Sequence, residues 1–470
     1  MNQRSRYVAA IVFSAVMGFS EVSVADTTAE LEELKRTVNR QERVIQQLTE
    51  KLGQLEARVG EGPVPASVSQ KRVSLAAEEL AALPATAGQK GDGQLPLEIG
   101  GYIDFGYINA AGSGTTSTTA LQINSRGDNL ADVGLDGDSS FLINDVDLDF
   151  KAHVSQSLDA VASLDFLPRN LSFTTSGGTA QTDSAEVRMA YVVYAPFSEP
   201  SSLTDMLFGD LRLSLGKFES PIGFEYRYNK SPDRVNISRA LPAVWTTGYP
   251  VGIRARGNLL QGPLSHFHNS LLTYNVVLAN ADPFISSLSD GDRDTNSNRT
   301  IMGRLSYGLD IVGGFFETGV SLLQGARIGQ GDNKTETSSI DLDGRFEWGP
   351  LTLRAEYAFL NQDRPRTGGS AAVFSGFGLE GFYTLERPHG LPAWIPMTSL
   401  TPFYRYDVRD ANTTPATGSD TVQLVKRHTF ALRYTARPGS ILKAEYQLVG
   451  EAEDASVNDN VFLASFVQQF

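Results

Sequence analysis

Apolar and charged residues alternate along many short segments of this chain, and the alternation limits the folds that it can adopt. Residues 351–360 read LTLRAEYAFL, in which Leu353 and Tyr357 have one parity and Arg354 and Glu356 the other. Successive side chains of a β-strand point to opposite faces of the sheet, so such a strand has one apolar and one charged face. The apolar face must lie in a protein core, as in a soluble sandwich, or against lipid, as on a membrane barrel.

Composition and length narrow this choice. The chain has 470 residues, of which 41% are hydrophobic, and its mean hydropathy is −0.18. It contains no internal run of about 18 apolar residues, which a membrane-spanning helix requires, whereas half of each barrel strand is polar. The formal net charge of −14 disfavours nucleic acid as a partner. The chain has no cysteine, which excludes disulfides and thiolate metal sites.

The first residues have the pattern of a secretory signal peptide. Arg4 and Arg6 precede an apolar segment at residues 7–19, and positions 23–25 carry the small residues of a cleavage site. We therefore predict that residues 1–25 direct export and are then removed. The alternative, a short anchoring helix, needs a longer apolar run.

A heptad pattern predicts a periplasmic coiled coil at residues 26–60. Its seam positions are Leu31, Leu34, Val38, Gln41, Ile45, Leu48, Leu52, Leu55 and Val59. A strict 3.5-residue period favours self-association over a single amphipathic helix packed on its own domain, although the number of strands in the coiled coil is left open. Residues 61–96 are rich in Gly, Pro, Ala and Ser, and we interpret them as a linker.

From residue 97 onward, alternating segments separated by turn residues predict sixteen β-strands. They begin near Leu97, Phe141, Ser157, Ala185, Leu207, Tyr249, Phe267, Thr300, Phe315, Ser338, Leu351, Val373, Leu400, Val425, Ile441 and Asn460. Short connections such as residues 437–440 contrast with long polar ones such as residues 280–298. This asymmetry is typical of outer-membrane barrels, which have short periplasmic turns and long external loops. We therefore predict an all-β, 16-stranded antiparallel transmembrane barrel at residues 97–470.

The parity of each strand separates its lipid-facing residues from its lumen-facing residues. An arginine that faces lipid at the membrane midplane costs roughly 2–4 kcal/mol, so the charged parity is assigned to the lumen. In one predicted strand Ile340 and Leu342 therefore face outward, and Asp341 and Asp343 face inward. Inward arginines and inward acids are similar in number, which predicts a transverse field across the lumen. The arginines singled out on the lumen wall are Arg254, Arg256, Arg354, Arg405 and Arg433.

The connection at residues 216–249 is predicted to fold inward and narrow the lumen. Its basic residues are Lys217, Arg227, Lys230, Arg234 and Arg239. Its acidic residues are Glu219, Glu225 and Asp233. A cationic constriction of this kind binds anions through charge-assisted hydrogen bonds, and several weak sites in series allow release. The alternative is that these cations pair with acids of the loop or the wall and only hold the loop in place.

Two segments resemble known outer-membrane proteins. The run GKFESPIGFEYRYNKSPDRVNISRALP, at residues 216–242, resembles the signature region of the phosphate-selective porin O and P family. The last strand, which ends at Phe470, resembles the assembly signal of bacterial outer-membrane proteins. The family resemblance spans residues 97–470. It implies a homotrimeric porin in the outer membrane of a Gram-negative bacterium, surrounded by lipid and passing small polar solutes or anions such as phosphate.

The sequence gives no sign of catalytic, cofactor or metal chemistry. The histidines are His153, His266, His268, His389 and His428, and none has a recognisable nucleophile or ligand partner. Residues 290–296 have the acidic spacing of a calcium loop but lack its glycine and closing glutamate. We therefore predict no enzyme, no cofactor and no metal.

Two functions remain open at this stage. In the first, the barrel is a porin. In the second, the chain is an envelope tether, in which the coiled coil binds the cell wall or a periplasmic partner and the barrel is an anchor.

Overall fold

The computed structural model describes most of the chain after residue 96. The described residues are 97–111, 139–166, 172–175, 178–181, 185–196, 210–245, 248–259, 270–280, 299–327, 335–363, 371–387, 392, 394–414, 421–451 and 460–470. The predicted features outside them are the signal peptide (1–25), the coiled coil (26–60), the linker (61–96), the pair His266 and His268, and the calcium-like segment (290–296).

The described residues are mainly β-strand. The strands are β1 (Leu97–Ala111), β2 (Ser139–Ser155), β3 (Leu158–Phe166), β4 (Ser172–Thr175), β5 (Gly178–Gln181), β6 (Ala185–Tyr194), β7 (Arg212–Lys217), β8 (Val251–Leu259), β9 (Ser270–Ala279), β10 (Thr300–Ile311), β11 (Gly314–Arg327), β12 (Thr335–Trp348), β13 (Leu351–Gln362), β14 (Ala371–Tyr383), β15 (Leu385–Glu386), β16 (Ser399–Thr414), β17 (Thr421–Arg437), β18 (Ser440–Glu451) and β19 (Asn460–Gln469). Three 3-10 turns lie at Glu225–Tyr228, Ser231–Asp233 and Leu241–Trp245. No helix in the described part of the chain is long and apolar enough to cross a membrane.

The wall strands form one closed antiparallel barrel. Each strand pairs with its neighbour in the chain, and β1 closes the ring by pairing with β19 from Tyr102 opposite Gln469 to Ala111 opposite Asn460. The short β15 extends the β14 edge along β16, so the wall has sixteen strands. Closure pairs the backbone groups of the first and last strands, which an open sheet would leave exposed to lipid. The predicted 16-stranded barrel is confirmed.

Three details differ most from the sequence-based prediction. Strand β17 begins at Thr421 rather than near Val425. Strand β7 begins at Arg212 rather than near Leu207, because its ladder with β6 starts only where Leu213 lies opposite Tyr194. Strands β4 and β5 form a separate hairpin within a connection that was expected to have no strands. That hairpin is four residues long on each side, too short for its alternation to stand out in the sequence.

Side-chain exposure follows the predicted parity. On β12 the outward Leu342 and Ile340 are 48% and 38% exposed, whereas the inward Asp341 and Asp343 are 0% and 6% exposed. The outward rows of β16 and β18 are likewise apolar or aromatic, with Tyr404 and Leu442 exposed. The wall therefore has an apolar outer surface suited to lipid and a charged inner surface.

Tight turns lie at one end of the barrel. Residues 312–313, 349–350 and 438–439 each form a two-residue turn between paired strands. Gly313 and Gly439 have φ values of 78° and 81°, which glycine adopts without the steric cost that other residues incur. These turns fix the register of the hairpins.

We expect Leu342→Arg to destabilise the barrel in lipid. The substitution places a guanidinium on an outward position near the middle of β12, where its burial in hydrocarbon costs roughly 2–4 kcal/mol. The measurement is the free energy of unfolding in urea with the barrel in phospholipid vesicles. Leu342→Ala is the matched control, because it removes the side chain without adding charge and should cost less. Equal losses for the two variants would contradict a lipid-facing position.

Candidate functional site: the lumen loop

The connection between β7 and β8, residues 218–250, lies inside the barrel, and we call it the lumen loop. Most of its described side chains are buried, from Phe218 at 0% exposure to Arg239 at 8%. The chain turns inward directly after Gly216, whose φ is 131°. A Cβ at Gly216 would lie 2.2 Å from the carbonyl oxygen of Ala190, so only glycine fits there.

An apolar cluster attaches the start of the loop to the wall. Phe218 and Ile222 are fully buried and pack with Val277, Met302 and Leu323 of β9, β10 and β11. These wall residues face inward, where most neighbouring positions are polar. Burial of two large side chains against them contributes on the order of a few kcal/mol to fixing this end of the loop.

Arginines anchor the next part of the loop on β11 and β13. Arg227 donates from both terminal nitrogens to Glu317, at 2.8 and 2.6 Å. Arg354 of β13 lies 3.9 Å from the ring centre of Tyr228 and donates to Glu380 at 3.0 Å. A bidentate ion pair and a stacked guanidinium both fix orientation as well as proximity.

Acidic residues of β1 and β2 hold the middle of the loop. Lys230 donates to both carboxylate oxygens of Asp149 at 2.5 Å and lies 3.7 Å from Asp147. Ser231 donates from its hydroxyl to Asp104 at 2.5 Å. Burial alone would lower the pKa of Lys230, but Asp147 and Asp149 outweigh it and raise that pKa. Lys230 is therefore a charged anchor of the loop.

Two buried arginines, one on β16 and one on β17, bind carbonyl oxygens of the loop. Arg405 of β16 donates to the carbonyl oxygens of Ser238 and Arg239 at 3.3 and 3.0 Å. Arg427 of β17 donates to the same Arg239 carbonyl at 2.5 Å, and both guanidinium groups also contact Asp407. Arg433 of β17 similarly donates to the Arg234 carbonyl at 3.1 Å. The loop backbone thus satisfies wall cations that would otherwise be buried with fewer partners.

Strand β18 contributes one anion and one cation to the same segment. Glu445 accepts the backbone N–H groups of Ile237 and Ser238 at 2.6 and 3.1 Å, and also the Ser238 hydroxyl. Lys443 donates to the carbonyl oxygens of Ser231 and Asn236 at 2.5 and 3.1 Å. These contacts satisfy backbone groups that form no strand ladder.

The loop also pairs charges within itself. Arg234 lies 2.6 Å from Glu225, and Arg239 donates to the side chain of Asn229. Burial raises the pKa of Glu225, but Arg234 and Arg405 outweigh it and leave that pKa below its usual value. Burial, reinforced by the nearby Arg234, lowers the pKa of Arg239 to about 10, so Arg239 stays cationic at neutral pH.

The structure brings four of the predicted constriction residues, Arg227, Lys230, Arg234 and Arg239, together inside the barrel, and each has a protein partner. Lys217 is the last residue of β7 and is also buried. The alternative reading, in which these cations hold the loop in place, agrees with the contacts of Arg227 and Lys230 to wall carboxylates. A cationic constriction for solutes stays a prediction.

The predicted wall arginines divide into two groups. Arg354, Arg405 and Arg433 contact the loop as described above. Arg256 lies directly opposite Arg212 across the β7–β8 ladder, and Arg254 lies opposite Ser214. Two arginines at directly paired positions repel each other unless anions or acids compensate them. Arg212 has such an acid in Asp210, at 3.1 Å.

Arg254 differs from the other buried wall arginines. It is 6% exposed, and its guanidinium lies 4.6 Å from the ring centre of Phe218 and 5.5 Å from that of Tyr191. It donates to the Ser214 hydroxyl at 3.4 Å, and within the described residues no carboxylate lies at salt-bridge distance from it. Glu219 attracts it from beyond that distance. A buried guanidinium without a close ion pair is uncommon, because its charge is only partly compensated.

Several anchoring residues were not singled out from the sequence. Lys443, Glu445 and Arg427 have the inward parity, but nothing in the local sequence shows that the loop reaches them. Asp104 of β1 was missed entirely; its only signal is a lone acid between the apolar residues Ile103 and Phe105. Within the described part of the chain, no group of three or more His, Asp or Glu side chains is placed to hold a metal ion.

No family model and no curated protein sequence matches the chain. The resemblance to the phosphate-selective porin family therefore stays a prediction.

Solved structures do resemble the chain. The outer membrane channel DcaP of Acinetobacter baumannii matches with a TM-score of 0.50 and 14% identity, covering 82% of this chain and 100% of that one. An anion-selective porin from Comamonas acidovorans matches with a TM-score of 0.44 and 12% identity, covering 80% of this chain and 100% of that one. The trimer form of OmpT, an outer membrane protein of Vibrio cholerae, matches with a TM-score of 0.46 and 10% identity, covering 80% and 99%.

At these identities the likeness to DcaP shows the fold alone, and the two weaker matches carry no further argument. This shared fold, the apolar outer surface and the loop inside the barrel together define the class of this protein. The chain is a 16-stranded transmembrane β-barrel whose lumen contains an ordered loop.

We expect Glu445→Ala to loosen the lumen loop without unfolding the barrel. The change leaves the N–H groups of Ile237 and Ser238 without their acceptor, and hydrogen bonds to a charged group contribute about 1.5–3 kcal/mol each. Hydrogen exchange followed by mass spectrometry should show faster exchange in peptides from residues 234–240, with the β12 and β13 peptides unchanged.

Glu347→Ala is the matched control for this prediction. Glu347 pairs with Arg345 on its own strand, β12, and β13, β14, β16 and β17 separate that strand from β18. Unchanged exchange in the loop of the Glu445 variant, or equal acceleration in both variants, would remove Glu445 as an anchor.

Proposed function

We propose that this protein is an outer-membrane porin through which small polar solutes diffuse, with the lumen loop narrowing the passage. The observation that carries the proposal is the loop itself, which is bound to wall residues on many strands and lies inside a closed barrel. A structural anchor needs only the apolar outer surface. A loop held in the lumen by charged wall residues is instead suited to restricting what passes.

Channel formation is the direct test of this proposal. Purified protein in a planar bilayer should give stepwise increases in conductance that persist at low voltage. Absence of channels from protein that is folded, as judged by its heat-dependent gel mobility, would reject the porin.

We also propose a preference for anions, and we locate it on the β7–β8 wall rather than on the lumen loop. The support is the difference in charge compensation: the loop cations Arg227 and Lys230 form close ion pairs with acids, whereas Arg254 forms none within the described residues and is attracted by Glu219 only from a longer distance. Arg212 and Arg256 lie on the same two strands. A cationic stretch of wall raises the local concentration of anions and favours their passage. The solutes in this proposal are small anions as a class, phosphate among them.

We expect Arg254→Met to lower the permeability ratio of chloride to potassium by at least about twofold, since one wall charge is removed while the shape is roughly kept. The measurement is the reversal potential in a salt gradient. Arg254→Lys retains the charge and should keep the ratio close to that of the unmodified protein. Cation preference in the unmodified protein would overturn the anion proposal and leave the porin proposal intact.

The protein is further proposed to be a homotrimer in the outer membrane of a Gram-negative bacterium, which rests on the sequence resemblance. Envelope tethering through the heptad segment is the second candidate function. Deletion of residues 26–60 distinguishes the two. Unchanged conductance with loss of envelope attachment supports tethering, whereas loss of trimers with altered conductance supports a role of that segment in porin assembly.

A further inference from the structure

The barrel has one seam that joins residues from opposite ends of the chain, where β1 pairs with β19. Asp104 of β1 and Ser465 of β19 are 361 positions apart in sequence, yet the Ser465 hydroxyl donates to Asp104 at 2.6 Å. The other neighbouring wall strands are adjacent in the chain and are joined by a turn or a loop. Pairing the two ends carries the largest loop-closure entropy, so the seam depends most on contacts that reinforce it.

The lumen loop supplies a polar contact directly behind this seam. Asp104 is fully buried and accepts from three elements at once: Asn144 of β2 at 3.1 Å, Ser465 of β19 at 2.6 Å and Ser231 of the loop at 2.5 Å. Lys443 of β18, the neighbour of β19, donates to the carbonyl of the same Ser231 at 2.5 Å. Residue 231 therefore connects both sides of the seam.

An apolar cluster also joins the loop to both strands of the seam, a few residues after Ser231. Ile237 of the loop packs with Ile108 of β1 and with Val461 and Leu463 of β19, and each of the four is at most 2% exposed. Ile108 and Leu463 are directly paired across the seam. Ile237 thus covers the inner face of the pair that closes the barrel, while its backbone N–H is bound to Glu445 of β18.

We propose that the lumen loop has a second role, in which residues 231–238 brace the seam between β1 and β19 and keep the barrel closed. The role is independent of solute passage. The apolar cluster that attaches Phe218 and Ile222 to β9, β10 and β11 has no part in it.

Two isoleucine-to-alanine substitutions distinguish the part of the loop at the seam from the part that packs on β9 to β11. Ile237→Ala removes the apolar contact with the seam, and Ile222→Ala removes an equally buried contact of the same loop with β9 to β11. Each variant is made alone and together with Tyr107→Cys and Ala464→Cys, which lie opposite each other across the seam. The chain has no cysteine of its own, so within one molecule oxidation can form only this crosslink, and monomer bands on the gel exclude crosslinks between molecules. The readout is the half-time of unfolding in hot detergent, followed by the shift in gel mobility.

The brace predicts that Ile237→Ala shortens the half-time of unfolding at least tenfold in the reduced protein, and less than twofold once the seam is crosslinked. The effect of Ile222→Ala should be the same with and without the crosslink. If Ile237→Ala unfolds equally fast in both states, or has no effect, the brace is rejected. Should that variant fail to fold, Ser231→Ala takes its place, because it removes only the hydroxyl that binds Asp104.

Discussion

A closed ladder of backbone hydrogen bonds in lipid is the constraint on which the rest of this structure depends. Once β1 and β19 pair, every wall strand has two neighbours and the side chains of each strand must divide between lipid and lumen. Lipid accepts only the apolar parity, so Asp, Glu, Arg and Lys are placed on the inner surface. Charged side chains buried on the inner surface need hydrogen-bond or ion-pair partners. The lumen loop provides many of these partners.

The loop compensates charge mainly through its backbone. Arg405, Arg427 and Lys443 donate to its carbonyl oxygens, and Glu445 accepts its N–H groups. A segment without a strand ladder is thereby kept inside the barrel, and wall charges that would be costly when buried find partners. The number of basic residues in the lumen is for this reason a poor measure of how many can bind a solute. Arg254 differs because its guanidinium packs on the rings of Tyr191 and Phe218 and forms no close ion pair within the described residues.

The wall could be predicted from sequence because the alternation within each strand shows which of its side chains are on the apolar face and which are on the charged face. Residues 340–343 divide into an apolar and a charged face without knowledge of any other strand. The same holds for the other wall strands, with errors of a few residues at the starts of β7 and β17. The contacts of the loop are of another kind. Lys230 reaches Asp149 across 81 positions, and Arg427 reaches the Arg239 carbonyl across 188. No local sequence pattern encodes contacts between residues so far apart, so the sequence alone does not show which of these cations hold the loop.

The two roles assigned to the loop share residues, which limits how this pore can change. Lys443 and Glu445 lie beside the seam and also hold the segment that narrows the lumen. Under the two proposals, a change in charge at either position alters barrel closure and the shape of the lumen together. The β7–β8 wall is distant from the seam in strand order, and Arg212 and Arg256 are paired with each other across its ladder. Under the seam proposal, a change of charge on that wall removes no contact to the seam.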